Sequence, residues 1–248
     1  MLSKNTLKFI KSLQQKKFRK IEGSFFVEGS KNVTELLNSD FISTHLLFTD
    51  KFYSGNQAMV DDFPGQAIHV TQKVLESAGA FKSNDSALAV AKIKENIEIS
   101  VKDNEWAIAL DDVRDPGNLG TIIRIADWYG IQKIILSEES ADFYNPKVLQ
   151  ASMGSFSRIK FFYTDLSIFL SKTQLPIYGA FLNGSSIYNT PFDNGGILLM
   201  GNESKGISTE LEKSVHHKIT IPRFGHAESL NVAIATAVFC DNIKRSNS

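Results

Sequence analysis

Residues 219–241 read ITIPRFGHAESLNVAIATAVFCD. The apolar run Ile219 to Ile221 reads as a short strand that stops at Pro222, and the loop Arg223 to Glu228 leads to Ser229-Leu230-Asn231. From Val232 to Phe239 every side chain is small or apolar, so a helix there is expected to be buried nearly all round. Ser229 and Asn231 stand at its start, where free backbone N–H groups suit a side-chain cap, a polar ligand or a carboxylate. A capped core helix and a ligand site both fit the stretch taken alone.

The 248 residues, 42% of them apolar, suffice for one large α/β domain or two smaller ones. Lys+Arg and Asp+Glu are both 27, so net charge points to no partner. The distribution says more. Residues 1–20 carry Lys4, Lys8, Lys11, Lys16, Lys17, Arg19 and Lys20 with no acidic residue, a basic arm that fits RNA phosphates or a solvated helix face. The single cysteine, Cys240, leaves no internal disulfide and reads as a core residue. No run approaches the ~20 apolar residues of a membrane span, so a soluble, cytoplasmic protein without membrane contact is expected. His45, His69, His216, His217 and His226 show no metal-ligand spacing, and no metal is expected.

Working back from the opening stretch, the chain divides near its middle. Residues 1–95 alternate helical and strand patterns: an amphipathic helix over 4–16 with Leu7, Ile10 and Leu13 inward, strands at 23–27, 44–48, 67–70 and 87–93, and helices between them. Such a piece has the size of an independent α/β domain. Residues 96–105 are charged and poor in large apolar groups, and read as a linker. Residues 106–248 restart with the buried strand Trp106 to Leu110. Further strands are expected at 133–136, 158–163, 177–180 and 196–200, with helices at 120–129, 146–153 and 166–172 between them. Continuous apolar strands separated by helices predict a parallel sheet covered on both faces. The tail from Lys244 to Ser248 is expected to fray.

Ligands of open parallel sheets bind beyond the carboxyl ends of the strands. Three loops of the second half lie at such ends. The first, Asp111 to Arg124 (DDVRDPGNLGTIIR), lacks the glycine spacing of a dinucleotide site and the Lys-Ser/Thr of a phosphate loop, which disfavours an oxidoreductase. Asn118 can cap the helix that follows. Arg124, between Ile123 and Ile125, is expected to need a buried or ligand partner. The second loop is Gly201-Asn-Glu-Ser-Lys-Gly-Ile207, whose glycines let the backbone approach a ligand and whose Glu203 follows an all-apolar strand. The third is the opening stretch.

Together the three loops resemble a specific family. Asn118-x-Gly-x-x-x-Arg-x-Ala, Gly-Asn-Glu-Ser-Lys-Gly-Ile and Ile-Pro-x-x-Gly-x-x-x-Ser-Leu-Asn-Val are similar, in order and spacing, to motifs 1, 2 and 3 of the SpoU (TrmH) family. These are RNA 2′-O-ribose methyltransferases of the SPOUT class that use S-adenosylmethionine. The resemblance spans about Trp106 to Lys244, and the first half looks, more loosely, like the family's RNA substrate-binding domain. It implies a parallel α/β domain closed by a trefoil knot, a homodimer through that domain, and cofactor contacts at Gly201, Ile221 and Leu230. Asn118, Arg124, Glu203, Ser229 and Asn231 fall on the functional polar positions. Arg223 departs from the family, where a Met is frequent.

The family gives the equivalent of Arg124 a role as base or activator. A guanidinium with a pKa above ~12 is a poor base, so a phosphate clamp steadied by Glu203 is expected instead, with Ser229 and Asn231 orienting the ribose or the loop. Tyr53, Phe52 and Phe63 could stack on RNA bases, core packing being the plainer role for the phenylalanines. Ribosomal RNA is favoured over transfer RNA by analogy with the two-domain layout. A non-catalytic RNA-binding or assembly protein that keeps the fold is the alternative.

Overall fold

Helices and strands alternate from residue 2 to residue 246, the part of the chain that the computed structural model describes. The helices are α1 (Lys4–Ser12), α2 (Lys16–Glu22), α3 (Ser30–Leu37), α4 (Asp50–Asp61), α5 (Gln72–Ala78), α6 (Pro116–Trp128), α7 (Pro146–Ser152), α8 (Leu166–Lys172), α9 (Thr209–Glu212) and α10 (Val232–Ser246). The strands are β1 (Ser24–Glu28), β2 (Ser43–Phe48), β3 (Gln66–His69), β4 (Ala87–Lys92), β5 (Trp106–Leu110), β6 (Lys133–Leu136), β7 (Lys160–Tyr163), β8 (Ile177–Ser186), β9 (Gly196–Met200) and β10 (His217–Thr220). Two units form: residues up to Glu95 with Asp142–Ser157, and Asn96–Ala141 with Arg158–Ser248.

The first unit is a four-stranded sheet in the order β1-β4-β2-β3, with β4 antiparallel to β1 and β2, and β2 parallel to β3. Ile10 and Leu13 join Phe26, Leu47, Ile68, Leu75, Leu88 and Val90 in its core, so the basic arm is docked. The helix expected over 4–16 stops at Ser12, and a second helix starts at Lys16. Ser3 caps α1 by accepting from the Thr6 N–H at 3.0 Å, and the chain turns between α1 and α2. Arg19, on α2, is 2% exposed and reaches back to that turn, donating to the carbonyls of Leu13 and Gln14 (2.9 Å each) and to the Asp142 carboxylate. It therefore leaves the phosphate-facing set, while Lys4, Lys8, Lys11, Lys16, Lys17 and Lys20 are exposed.

Chain order places the segment 142–157 in the second half, yet it belongs to the first unit. The reason is aromatic packing: Tyr144 and Phe156 meet Phe25 and Phe41 at ring-centroid distances of 4.5–6.4 Å. Phe52 is buried, whereas Tyr53 is half-buried, stacks on Phe48 and donates to Asp61.

The second unit is a six-stranded sheet in the order β10-β8-β9-β5-β6-β7, parallel throughout. Every residue of β5 and β9 is buried, as continuous apolar runs require. Residues 96–105 are tied to this unit. Asn96 exchanges two hydrogen bonds of 2.8 Å with the Tyr163 backbone, and Lys133 donates to the Ser100 carbonyl and pairs with Glu105. β8 runs on to Ser186, past the expected end at Ala180, and a register shift lets β10 pair with both of its ends.

The opening helix departs from expectation. α10 buries Val232, Ala233, Thr236, Phe239, Cys240 and Ile243, but Ile234 is 54% exposed, and Ala235, Ala237 and Val238 are half-buried. Burial all round fails because α6 and the Ile187–Asn189 turn pack against α10 while Ile234 is left in solvent. α10 continues through Lys244 to Ser246, and residues 247–248 of the expected frayed tail lie outside the described residues. Cys240 is a core thiol whose pKa burial pushes up to about 12. Among the described residues, no helix is long and apolar enough to cross a membrane.

Candidate active site

A parallel sheet delivers the carboxyl ends of all its strands to one edge, and the loops after β5, β9 and β10 meet there. The first loop passes through Asp112, a non-glycine residue at φ 57, in the left-handed region that aspartate tolerates better than most residues. Its N–H donates to Ser137 Oγ at 2.9 Å, its carboxylate pairs with Arg114, and Asn202 Nδ2 donates to its carbonyl at 2.7 Å. The loop ends at Asp115-Pro116, where Asp115 caps α6 by accepting from the Asn118 N–H at 2.8 Å and Pro116 occupies the first turn. The capping role open to Asn118 thus falls to Asp115, and the Asn118 side chain is free to reach outward.

The second loop closes on itself. Asn202 and Gly206 exchange backbone hydrogen bonds of 3.0 and 2.9 Å, and a Cβ on Gly201 would collide with the Gly206–Ile207 backbone. Gly201 is therefore fixed first by the tightness of its own loop, which sets Glu203 at the turn. Asp111, 8% exposed, fastens the loop's far end by accepting from the Ser208 N–H at 2.7 Å.

The third loop ends at Asn231, which caps α10 by accepting from the N–H groups of Ala233 (2.9 Å) and Ile234 (3.3 Å). Its Nδ2 donates to Asn118 Oδ1 at 2.8 Å. Asn118 Nδ2 in turn donates to Glu203 Oε1 at 3.1 Å, and the Asp115 N–H donates to the same oxygen at 3.2 Å. Each amide has only one workable orientation, because the helix end supplies donors at one terminus and the carboxylate accepts at the other. One residue from each of the three loops is joined in a chain of hydrogen bonds.

Two of the polar positions stay outside that chain. Arg124 lies six residues beyond Asn118 on α6, about 240° round and ~9 Å along. Ile122, Ile123 and Ala126 take the buried side, so its guanidinium is exposed and has no partner among the described residues. Of the buried or ligand partner expected for Arg124, the described residues supply no buried one, and the expectation that Glu203 steadies it is corrected: Glu203 accepts from Asn118. Ser229 is exposed and makes no hydrogen bond among the described residues. Ile221 is half-buried and Leu230 is 50% exposed. A separate cleft of about 550 Å³ beside β8 and β10, lined by Asn183, Ser185, His216 and Lys218 among others, includes none of these residues. Asp112, Asp115 and Asn202 escaped the sequence reading. The Asp-Pro pair could have revealed Asp115, since a capping residue before a first-turn proline is a helix-start signal.

A family model described as the SpoU rRNA Methylase family matches residues 105–241, and one described as the MRM3-like substrate binding domain matches residues 4–89. The chain belongs to the SpoU rRNA methylase family. Among SpoU relatives, it is 29% identical to the 23S rRNA (guanosine(2553)-2′-O)-methyltransferase RlmP of Bacillus subtilis, with 94% of each chain covered. A TrmH-family protein from Porphyromonas gingivalis has 35% identity and a TM-score of 0.86, with 99% of each chain covered. The AdoMet-bound rRNA methyltransferase of Sinorhizobium meliloti has 30% identity and a TM-score of 0.88, over 99% of this chain and 96% of that one. The SpoU match contains all three loops, and the substrate-binding match covers most of the first unit.

Proposed function

We propose that the Glu203–Asn118–Asn231 cluster, with Arg124 farther along the same helix as Asn118, is where a ribosomal RNA nucleotide receives a methyl group on its ribose 2′-hydroxyl. The enzyme is an S-adenosylmethionine-dependent RNA 2′-O-methyltransferase. The observation that carries the site reading is the hydrogen-bonded chain from Asn231 through Asn118 to Glu203, which joins the three family motifs at one edge of the sheet.

Gly201, Ile221 and Leu230 would hold S-adenosylmethionine, which supplies the methyl group when bound. Residues 223–230 make no backbone–backbone hydrogen bond among the described residues, and Leu230 leaves apolar surface open. Free peptide groups beside apolar surface fit a ligand with a flat heterocycle and a polar tail. The chain's own residues then align and deprotonate the acceptor. Asn118 and Asn231, locked in orientation, hold the ribose, and Ser229 orients it or the loop. Glu203 is the one member of the cluster able to take up the hydroxyl proton. Arg124, unpaired, grips the phosphate beside the reacting ribose through its two-pronged donor face. It is not the base, because a guanidinium keeps its proton.

Two of the named relatives, those of Bacillus subtilis and Sinorhizobium meliloti, are named as 23S rRNA or rRNA methyltransferases, which favours ribosomal over transfer RNA here, and with it action in the cytoplasm. The active form is a homodimer through the second unit. The exposed apolar residues Trp128 on α6 (83%) and Ile234 on the adjoining α10 support this, and sedimentation as a monomer at micromolar concentration would count against it. The function is tested by mapping ribose methylation in rRNA and tRNA from a strain lacking this gene. The expected result is the loss of an rRNA mark, and unchanged maps of both RNAs would refute the reading.

A further inference from the structure

Phe224 has the highest exposure, 91%, of the large apolar side chains among the described residues. It stands in the loop between β10 and α10, preceded by Arg223 and followed by Gly225 and His226. Arg223 Nη1 donates to the Ala227 carbonyl at 3.4 Å, closing residues 223–227 into a turn that leaves Phe224 in solvent. That bond leaves most of the guanidinium donors free. Arg223 and His226 form no ion pair among the described residues, and Glu228 is the single carboxylate between Ile221 and Asn231. The loop's far end, Asn231, is hydrogen-bonded to Asn118.

An aromatic face presented between a guanidinium and an imidazole has the chemistry of a nucleotide contact: the ring takes a base, and the flanking N–H donors take the adjoining phosphates. Methylation of a ribose at the Asn118–Glu203 cluster brings the bases of that RNA strand to the same edge of the sheet, where an unstacked base needs a partner. We infer that Phe224 is a stacking platform for an unpaired base of the RNA substrate, with Arg223 and His226 on the flanking backbone. The inference rests on the methyltransferase reading of the site. It also gives Arg223 a use: where a methionine would offer only apolar contact, a guanidinium adds a phosphate ligand.

The test follows methyl transfer from labelled S-adenosylmethionine to rRNA isolated from a strain lacking this gene, comparing the wild type with Phe224→Trp, Phe224→Leu and Phe224→Ala. Phe224→Ala and Phe224→Leu are expected to raise KM for the RNA roughly tenfold or more. Phe224→Trp, which keeps a π face, should stay within about threefold of the wild type. The calorimetric Kd for S-adenosylmethionine and the sedimentation coefficient should not move. A leucine variant that works like the wild type overturns the inference, since leucine supplies apolar area without a stacking face. A weakened cofactor Kd would make Phe224 a cover for the cofactor, and a shift to slower sedimentation would make it a contact between copies; either result overturns the stacking role. Wild-type protein that transfers no methyl group refutes the underlying reading as well, and is distinguishable from a defect confined to the variants.

Discussion

Arg19 in the first unit and Arg124 in the second invert what their neighbours in sequence suggest. Arg19 sits in a run of lysines, yet it is 2% exposed and makes four hydrogen bonds, two to the Leu13 and Gln14 carbonyls and two to Asp142. Arg124 sits among isoleucines, yet its guanidinium stands in solvent without a partner among the described residues. On a helix successive residues point about 100° apart, so an apolar neighbour says nothing about the side on which a charge emerges. The difference separates two uses of one side chain. A guanidinium with four of its five donors taken up by the fold holds the fold together, and one left unpaired beside a motif loop is free for a ligand.

Arg124→Ala offers the largest effect. Methyl transfer should fall by more than about a hundredfold, while thermal stability stays within ~0.5 kcal/mol of the wild type, as for other exposed positions, and calorimetry still detects S-adenosylmethionine. A variant that turns over normally would remove Arg124 from the chemistry, and one that melts early would erase the contrast with Arg19. Arg19→Met comes next. It leaves the Asp142 carboxylate and two carbonyls without their donor, so denaturant titration should register a loss of ~3 kcal/mol. A loss below ~1 kcal/mol would mean that Arg19 behaves as a surface charge.

The smallest expected effect sharpens the comparison from inside the first unit, where Glu28 is a buried charge with an incomplete set of partners. It is 4% exposed; Oε1 accepts from the Ala80 N–H at 2.9 Å, but Oε2 has no partner among the described residues. Burial pushes its carboxyl above the ordinary value of 4.5, against the opposing pull of the Ala80 hydrogen bond. The folded state then binds more protons than the unfolded state above that ordinary value, so stability present below it is lost as pH rises through the raised folded pKa. Glu28→Gln removes this titration and should stabilise the protein at pH 7 relative to the wild type by about 1 kcal/mol, with the gain vanishing near pH 4. A gain of the same size at both pH values would show that ionisation is not its source.

Much of the second unit was legible because its strands carry their own signal. Trp106–Leu110, Lys133–Leu136 and Gly196–Met200 are buried, or nearly so, along their length, and continuous apolar runs with polar punctuation mark such strands without reference to anything distant. The three motif loops were legible for the same reason, as local patterns following those strands. Less local features were not. Residues 142–157 follow the second unit's sequence rhythm and yet give Tyr144 and Phe156 to the first unit's aromatic cluster, a pairing separated from Phe25 by more than a hundred positions. Nothing in the pattern near Arg19 announces Asp142, 123 residues away.

The sequence by itself determined the alternation of strands and helices, the parallel second sheet and the three loops at its carboxyl edge, and the resemblance of those loops to a family singled out Asn118, Arg124, Glu203, Ser229 and Asn231, of which Asn118, Glu203 and Asn231 meet. Only the tertiary structure decided how those three connect, that Asp115 rather than Asn118 caps α6, that Glu203 grips Asn118 rather than Arg124, and that α10 keeps an open stripe. The physical reason is range. Burial periodicity and loop chemistry are written into neighbouring residues, whereas a hydrogen-bond partner is chosen among side chains that only the folded chain brings within 3 Å, and among several acceptable partners the geometry of the loops selects one.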